Sequence, residues 1–139
     1  MMKTLLFGAV LFLSVTAEAK VHRNVVVVDG DTVEVPSSGM AASLRIRALG
    51  YDTPETNSNC AAERTLGLQA KARLVALTAP GLRVVSELEL DLYGRILGEL
   101  WTPNGERVAD VLVRENLARP YDGKTARRPW CDAEGRLTR

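Results

Sequence analysis

Asp31, Asp52 and Glu55 are carboxylates, and Arg47 and Arg95 guanidiniums, that fall where extended segments of the sequence end or begin. Asp31 closes VVVVDGD, Asp52 and Glu55 flank Pro54 in YDTPET, Arg47 lies in SLRIRALG, and Arg95 opens RILGELW. Carboxylate oxygens brought together from two loops are the donors a hard cation such as Ca2+ takes. Two guanidiniums facing the same space would grip a phosphate group and offset the negative charge that develops on it. A glutamate beside them could orient or deprotonate water. Each residue also has a plainer reading. Asp52-Thr-Pro-Glu is a good turn, Arg47 would keep an edge strand soluble, and Arg95 can pair with Asp91. Asp29-Gly30 is itself a strong hairpin signal, on the expectation that its central positions take positive φ. Residue type alone leaves both readings open.

Other chemistries find few residues. The single histidine, His22, lies close to the start of the expected mature chain, where a frayed and solvated setting is expected, so a Ser-His or Cys-His mechanism would rest on that one side chain. No phosphate-binding loop, dinucleotide fingerprint or zinc-binding helix motif occurs. An EF-hand beginning at Asp29 fails, because Val33 falls where oxygen is needed and Glu34 where glycine is needed.

The elements that must position the five residues follow from periodicity. Residues 24–35 read as two strands around Asp29-Gly30, and SLRIRALGYD alternates as a third. Leu66, Ala70, Leu74 and Leu77 form a helical stripe from Ala61 to about Thr78, stopped by Pro80-Gly81. LRVVSELEL and RILGELW are the fourth and fifth strands. VADVLVRENLAR, residues 108–119, reads as a second helix, followed by an irregular basic tail. Three strands, a helix, two strands and a helix fit a small barrel of the OB type. Arg47 and Asp52 are an odd number of residues apart, so strict alternation would put them on opposite faces; a shared site requires a bend near Gly50.

The chain opens with Met1-Met2-Lys3, an apolar run from Thr4 to Val15 broken only by Gly8 and Ser14, and Ala17-Glu18-Ala19 at a cleavage spacing. That is the plan of a secretory signal peptide over 1–19, cleaved after Ala19. The run is shorter than the roughly 20 apolar residues of a spanning helix. The expectation is one soluble, monomeric domain over 20–139, secreted or periplasmic. A net charge of +1 gives no global attraction to nucleic acid or membrane, although fourteen Arg against four Lys favour bidentate contacts. Two cysteines, Cys60 and Cys131, are too few for a Cys/His zinc site, and in an exported chain their default is one disulfide.

VVDGDTVEV, LRIRALGYDTPET and DLYGRILGELW resemble, in that order, the signature segments of the staphylococcal nuclease-like (thermonuclease) family. CAAERTLG and LVRENLARPYDGKTARRPWC resemble its exported, cysteine-bearing bacterial branch, so the likeness spans Val25 to Cys131. It implies a five-stranded OB-fold barrel with two helices that hydrolyses DNA and RNA with Ca2+ and leaves 3′-phosphate ends. It further implies that Asp31, Asp52 and the carbonyl of Thr53 hold the metal, and that Glu55 activates or orients water. Arg47 and Arg95 would contact the scissile phosphate, and Tyr93 would line the nucleotide pocket. Asp29 would lie near the metal without being a clear ligand. Tyr121, Arg127 and Arg128 are added as substrate-binding residues: a Cys60–Cys131 bond would set the two arginines beside the Glu55 loop, against phosphates outside the cleavage site. The chain departs from the pattern at Tyr51, where an aliphatic residue is usual, and at Leu92, where lysine is common. The alternative is a catalytically weak OB module that binds single strands through its groove. Such a module would be free to lose acids or arginines, and all five of these side chains are present.

Overall fold

A computed structural model of the chain describes residues 19–39 and 41–138; the signal segment expected over 1–19 lies, apart from Ala19, outside the described residues. The strands are β1 (Val21–His22), β2 (Val26–Asp29), β3 (Thr32–Pro36), β4 (Ser43–Ala48), β5 (Gly50–Asp52), β6 (Leu82–Leu90), β7 (Ile96–Trp101) and β8 (Arg119–Tyr121). Helix α1 (Ala61–Thr78) lies between β5 and β6, and α2 (Val108–Arg114) between β7 and β8. Six strands form one curled sheet in the order β1-β6-β7-β4-β3-β2, while β5 and β8 pair separately. Within the sheet only β4 and β7 run parallel. That pair is possible because α1 carries the chain across between β5 and β6, where a tight hairpin could not. The architecture is the OB-type half-barrel expected, with all five expected strands in place and β1 added at the β6 edge.

Alternation fills the interior. Val33 and Val35 of β3, Ile46 and Ala48 of β4, Leu82 of β6 and Leu100 of β7 point inward onto Leu74 and Leu77 of α1 and onto Val108, Val111 and Leu112 of α2. The α1 stripe is as the spacing predicts, except that Leu66 is half-buried and Gly67 takes the buried position beside it. Among the described residues no helix is long and apolar enough to cross a membrane.

Three expectations change. The third strand breaks at Leu49, whose N–H donates to the carbonyl of Gly98 at 2.9 Å. Gly50 then takes φ +90°, a conformation side chains rarely adopt. The chain thereby turns out of the large sheet as β5, which is the bend that Arg47 and Asp52 require. The second helix ends at Arg114 rather than 119. Asn116 enters the left-handed region at φ 59°, the N–H of Leu117 reaches back to the carbonyl of Leu112 at 2.9 Å, and that of Asn116 to Val113 at 3.0 Å. This pair of bonds closes a helix and sends the chain off extended, so residues 119–121 become β8 beside β5. Finally, His22 is not a frayed end. It pairs with Leu82 in the sheet and is half-buried, and burial, with Lys20 nearby, lowers its pKa.

Candidate active site

The β2–β3 turn supplies the first acid. The backbone N–H of Asp31 donates to the Asp29 carboxylate at 3.1 Å, a local bond that short acidic side chains make readily. Gly30 is glycine for a reason other than the positive φ expected of it, since it is not among the glycines in the left-handed region. A Cβ there would come within 2.8 Å of the Thr53 side chain. The missing side chain lets the turn lie against the loop after β5, and the N–H of Thr53 donates to Asp31 Oδ2 at 3.1 Å. Asp31 is thus buried and fixed from both sides.

Arg47, on β4 opposite Thr32, binds the two loops together. Its Nη1 lies 3.0 Å from Asp31 Oδ2 and its Nη2 3.3 Å from Asp52 Oδ1, and Nη1 also donates to the carbonyls of Asp31 and Ala48 at 3.3 Å. All three side chains are close to fully buried, Arg47 being 11% exposed. The loop beyond is held by α1: Glu63 in the first turn accepts the N–H of Glu55 at 3.0 Å and the hydroxyl of Ser58 at 2.6 Å. The Glu55 carboxylate stays 43% exposed beside the buried pair.

The C-terminal segment folds onto this cluster. Pairing of β8 with β5 sets Arg119 opposite Asp52. Arg127 was expected to face phosphates beyond the cleavage site; its guanidinium instead turns inward. Nε lies 2.7 Å from Asp52 Oδ1, Nη2 2.8 Å from Glu55 Oε1, and Nη2 also reaches the carbonyl of Thr53 at 3.4 Å. Burial works against its charge, but Asp52 and Glu55 more than offset that and raise its pKa. Arg128 remains exposed, its carbonyl accepting from Arg119. Tyr121 bonds the carbonyl of Thr125 through its hydroxyl at 2.8 Å, and Tyr121, Arg127 and Arg128 line, with Asp52, a pocket of about 140 Å³. The Cys60–Cys131 bond is present, with Cα atoms 6.7 Å apart.

Burial, and after it the charge of Asp31, pushes the pKa of Asp29 up to about 6; burial also raises Asp52, against the pull of Arg127. Both shifts come chiefly from burial, and a cation bound at this cluster would have to take Asp52 Oδ1 and the Thr53 carbonyl from the Arg127 guanidinium. The donors are the carboxylates of Asp31 and Asp52 and the Thr53 carbonyl. They lie close enough that one guanidinium spans the two carboxylates, and a second spans Asp52 and Thr53. All are oxygen, the donor type of hard cations. Among the described residues no group of three or more His, Cys, Asp or Glu side chains is placed to hold a metal ion.

A family model described as staphylococcal nuclease homologue matches residues 45–133. The chain belongs to the staphylococcal nuclease family. It is 35% identical over 105 residues to an "Uncharacterized endonuclease" of Escherichia coli, an alignment covering 75% of this chain and 63% of that protein. It is 32% identical over 123 residues to a "Micrococcal nuclease" of Shigella flexneri, covering 82% and 66%. With a "Thermonuclease" of Staphylococcus hyicus it shares 32% over 105 residues, covering 74% and 60%. The chain thus spans 60–66% of the length of these relatives.

In this nuclease-family domain Arg95 and Tyr93 stand apart from the cluster. Extending the β4–β7 register back from Ile46 opposite Ile96 sets Arg95 across from Arg45, on the sheet face that carries Arg47. Yet the Arg95 Nε is paired with Asp91 Oδ2 at 2.6 Å, and its guanidinium lies 5.3 Å from the Tyr93 ring centroid. No hydrogen bond or ion pair joins either residue to Asp31, Asp52 or Glu55 among the described residues. Tyr93 is 83% and Leu92 fully exposed. The Tyr51 departure is structural: the ring is fully buried in the core and its hydroxyl donates to the carbonyl of Gly30 at 3.0 Å, bracing the Asp29–Asp31 turn. Residue-type reasoning missed Glu63, Arg119 and Trp130. Trp130, beside Cys131, is buried and donates its indole N–H to Asp52 Oδ2 at 3.1 Å. Its adjacency to the cysteine was the one available signal.

Proposed function

We propose that the protein is an exported, monomeric, calcium-dependent nuclease that hydrolyses phosphodiester bonds of DNA and RNA and leaves 3′-phosphate ends. The observation that carries this reading is the buried junction at which Arg47 joins Asp31 to Asp52, with Glu55, partly exposed and paired with Arg127, beside it, in a chain of the staphylococcal nuclease family. The relatives named endonuclease, micrococcal nuclease and thermonuclease support it.

Asp31, Asp52 and the carbonyl of Thr53 would hold the calcium ion, which when bound supplies positive charge against the phosphate oxygens. Arg47, rigidly placed, donates to a phosphate oxygen whose negative charge grows as the phosphorus is attacked. Arg95 leaves Asp91 and adds a second forked donor from the same sheet face. Glu55 orients the attacking water and accepts its proton. The bond from phosphorus to the 5′-oxygen breaks, the 5′-oxygen takes up a proton, and the phosphate stays on the 3′ side. Tyr93 stacks on a base, while Tyr121 and Arg128 border the groove next to Asp52.

Activity staining on DNA and on RNA, with calcium, with EGTA and with magnesium plus EGTA, tests the reading. Calcium-dependent clearing of both substrates is expected, with end-group analysis showing 3′-phosphates; full turnover in magnesium plus EGTA would refute calcium dependence. Glu55→Gln should lower kcat by about 100-fold or more with an unchanged melting temperature. Near-normal kinetics in that variant would leave Glu55 only a loop-forming role.

A further inference from the structure

Residues 122–129 are exposed throughout, and the next residue, Trp130, is 7% exposed. Its large apolar surface explains the burial, but a buried indole also needs an acceptor for its N–H. That acceptor is Asp52 Oδ2. The indole is held on several sides. The Arg119 guanidinium lies over the ring, 3.7 Å from its centroid. The Trp130 carbonyl accepts the N–H of Thr138 at 2.9 Å. The following residue is Cys131, tied to Cys60 at the N-terminal end of α1.

The two oxygens of Asp52 have different partners. Oδ1 is the one that faces Asp31, because Arg47 bonds Asp31 and Asp52 Oδ1 with one guanidinium, and Arg127 bonds Oδ1 as well. Oδ2 takes the indole N–H. A carboxylate so held cannot rotate to present the other oxygen without breaking a buried hydrogen bond. Hydrogen-bond partners behind a ligand orient it and set how tightly it binds a metal.

We propose that Trp130 is a positioning residue for Asp52: its indole N–H, kept in place by the Cys60–Cys131 bond, holds Oδ2, so that Oδ1 is the oxygen offered to a metal shared with Asp31 and Thr53 when the Arg127 guanidinium gives it up. This rests on the reading of Asp31, Asp52 and Thr53 as metal ligands. Phenylalanine at 130 keeps the packing and loses the donor, so the loss should show in metal affinity, by about 10–100-fold. Removing the disulfide leaves the donor but frees the segment that carries it, so a smaller loss of the same kind follows.

The test is calcium titration calorimetry on the full-length protein and on Trp130→Phe, Cys60→Ser/Cys131→Ser and Asp52→Asn. Alongside it, the indole N–H signals of the unaltered protein are followed by 15N NMR as calcium is added. Trp101, whose indole donates to Glu99 at 3.3 Å, is the internal reference for the only other tryptophan. Expected are weaker binding for Trp130→Phe by the stated factor, and a Trp130 indole signal that moves with the calorimetric midpoint while that of Trp101 stays. Unaltered affinity in Trp130→Phe, or a Trp130 signal that does not move while calcium binds, overturns the proposal; the second observation stands even if the variant does not fold. Asp52→Asn binding calcium as tightly as the unaltered protein overturns the ligand reading itself, and is distinguishable from both.

Discussion

Arg47 lies within the sheet with its guanidinium shared between two buried carboxylates, whereas Arg95 sits at the foot of the β6–β7 hairpin, a quarter exposed and paired with its own neighbour Asp91. Arg47 is on β4 and Arg95 one residue before β7, where the extended register sets it on the same face, and sequence reasoning gives them the same role. The fold gives them different histories. Arg47 is a structural tie as well as a donor: without it, Asp31 and Asp52 would be buried without that shared counter-charge. The Arg95 pair, at the edge of a loop and a quarter exposed, can open at small cost. In the proposed mechanism the phosphate would thus meet a rigid half, which needs no reorganisation when charge develops, and a movable half, which has to reach it. Leu92 and Tyr93 at the hairpin tip, both strongly exposed, belong with the movable half.

Breaking the rigid half should have the largest effect. Arg47→Ala is expected to lower stability by about 3 kcal/mol, because removing one partner of a buried ion pair strands the other, and to lower kcat by about 100-fold or more. Urea melts and single-turnover rates measure the two losses, and Arg47→Lys should rescue little, since a point charge cannot fork between two carboxylates. Arg95→Ala should also lower kcat by about 100-fold, yet leave the unfolding midpoint within about 0.5 kcal/mol of the unaltered protein. Equal destabilisation by both variants would erase the distinction between the halves.

Asp91→Asn sharpens it further. The amide oxygen can still accept the N–H groups of Tyr93 and Arg95 that hold the turn, while the charge that retains the Arg95 side chain is gone. KM should fall by up to about fivefold, the worth of a weak ion pair; a rise in KM would mean that Asp91 aims Arg95 instead of holding it back. The smallest effect is expected from Leu92→Lys. A lysine there adds one phosphate contact and should steepen the salt dependence of single-strand binding by about 0.7 in the log–log slope. An unchanged slope would place the hairpin tip away from the bound strand.

The strands and α1 were legible because burial imposes a period on them, and the break near Gly50 was legible as the condition for Arg47 and Asp52, an odd number apart, to share a site. The end of α2 was not. ENLAR continues a helical pattern well enough, and what stops the helix is Asn116 in a left-handed turn followed by the pairing of β8 with β5, a partner 69 residues earlier in the register of Tyr51 and Pro120. His22 misled for the same reason, since its partner Leu82 belongs to a strand far along the chain.

By itself the sequence determined which side chains carry charge, the order of strands and helices, the turn at Asp29–Asp31 and the availability of two cysteines to pair. These depend on residue type and on neighbours a few positions away. The tertiary structure alone decided that Gly30 is glycine for contact with Thr53 and not for its φ, that Arg127 turns in to Asp52 and Glu55, and that Trp130 braces Asp52. The Arg127–Thr53 and Trp130–Asp52 bonds join residues 74 and 78 positions apart. Periodicity decays over a few turns of chain, so a contact at that range is set only when buried acids, already fixed by the sheet, select the partners that fold back onto them.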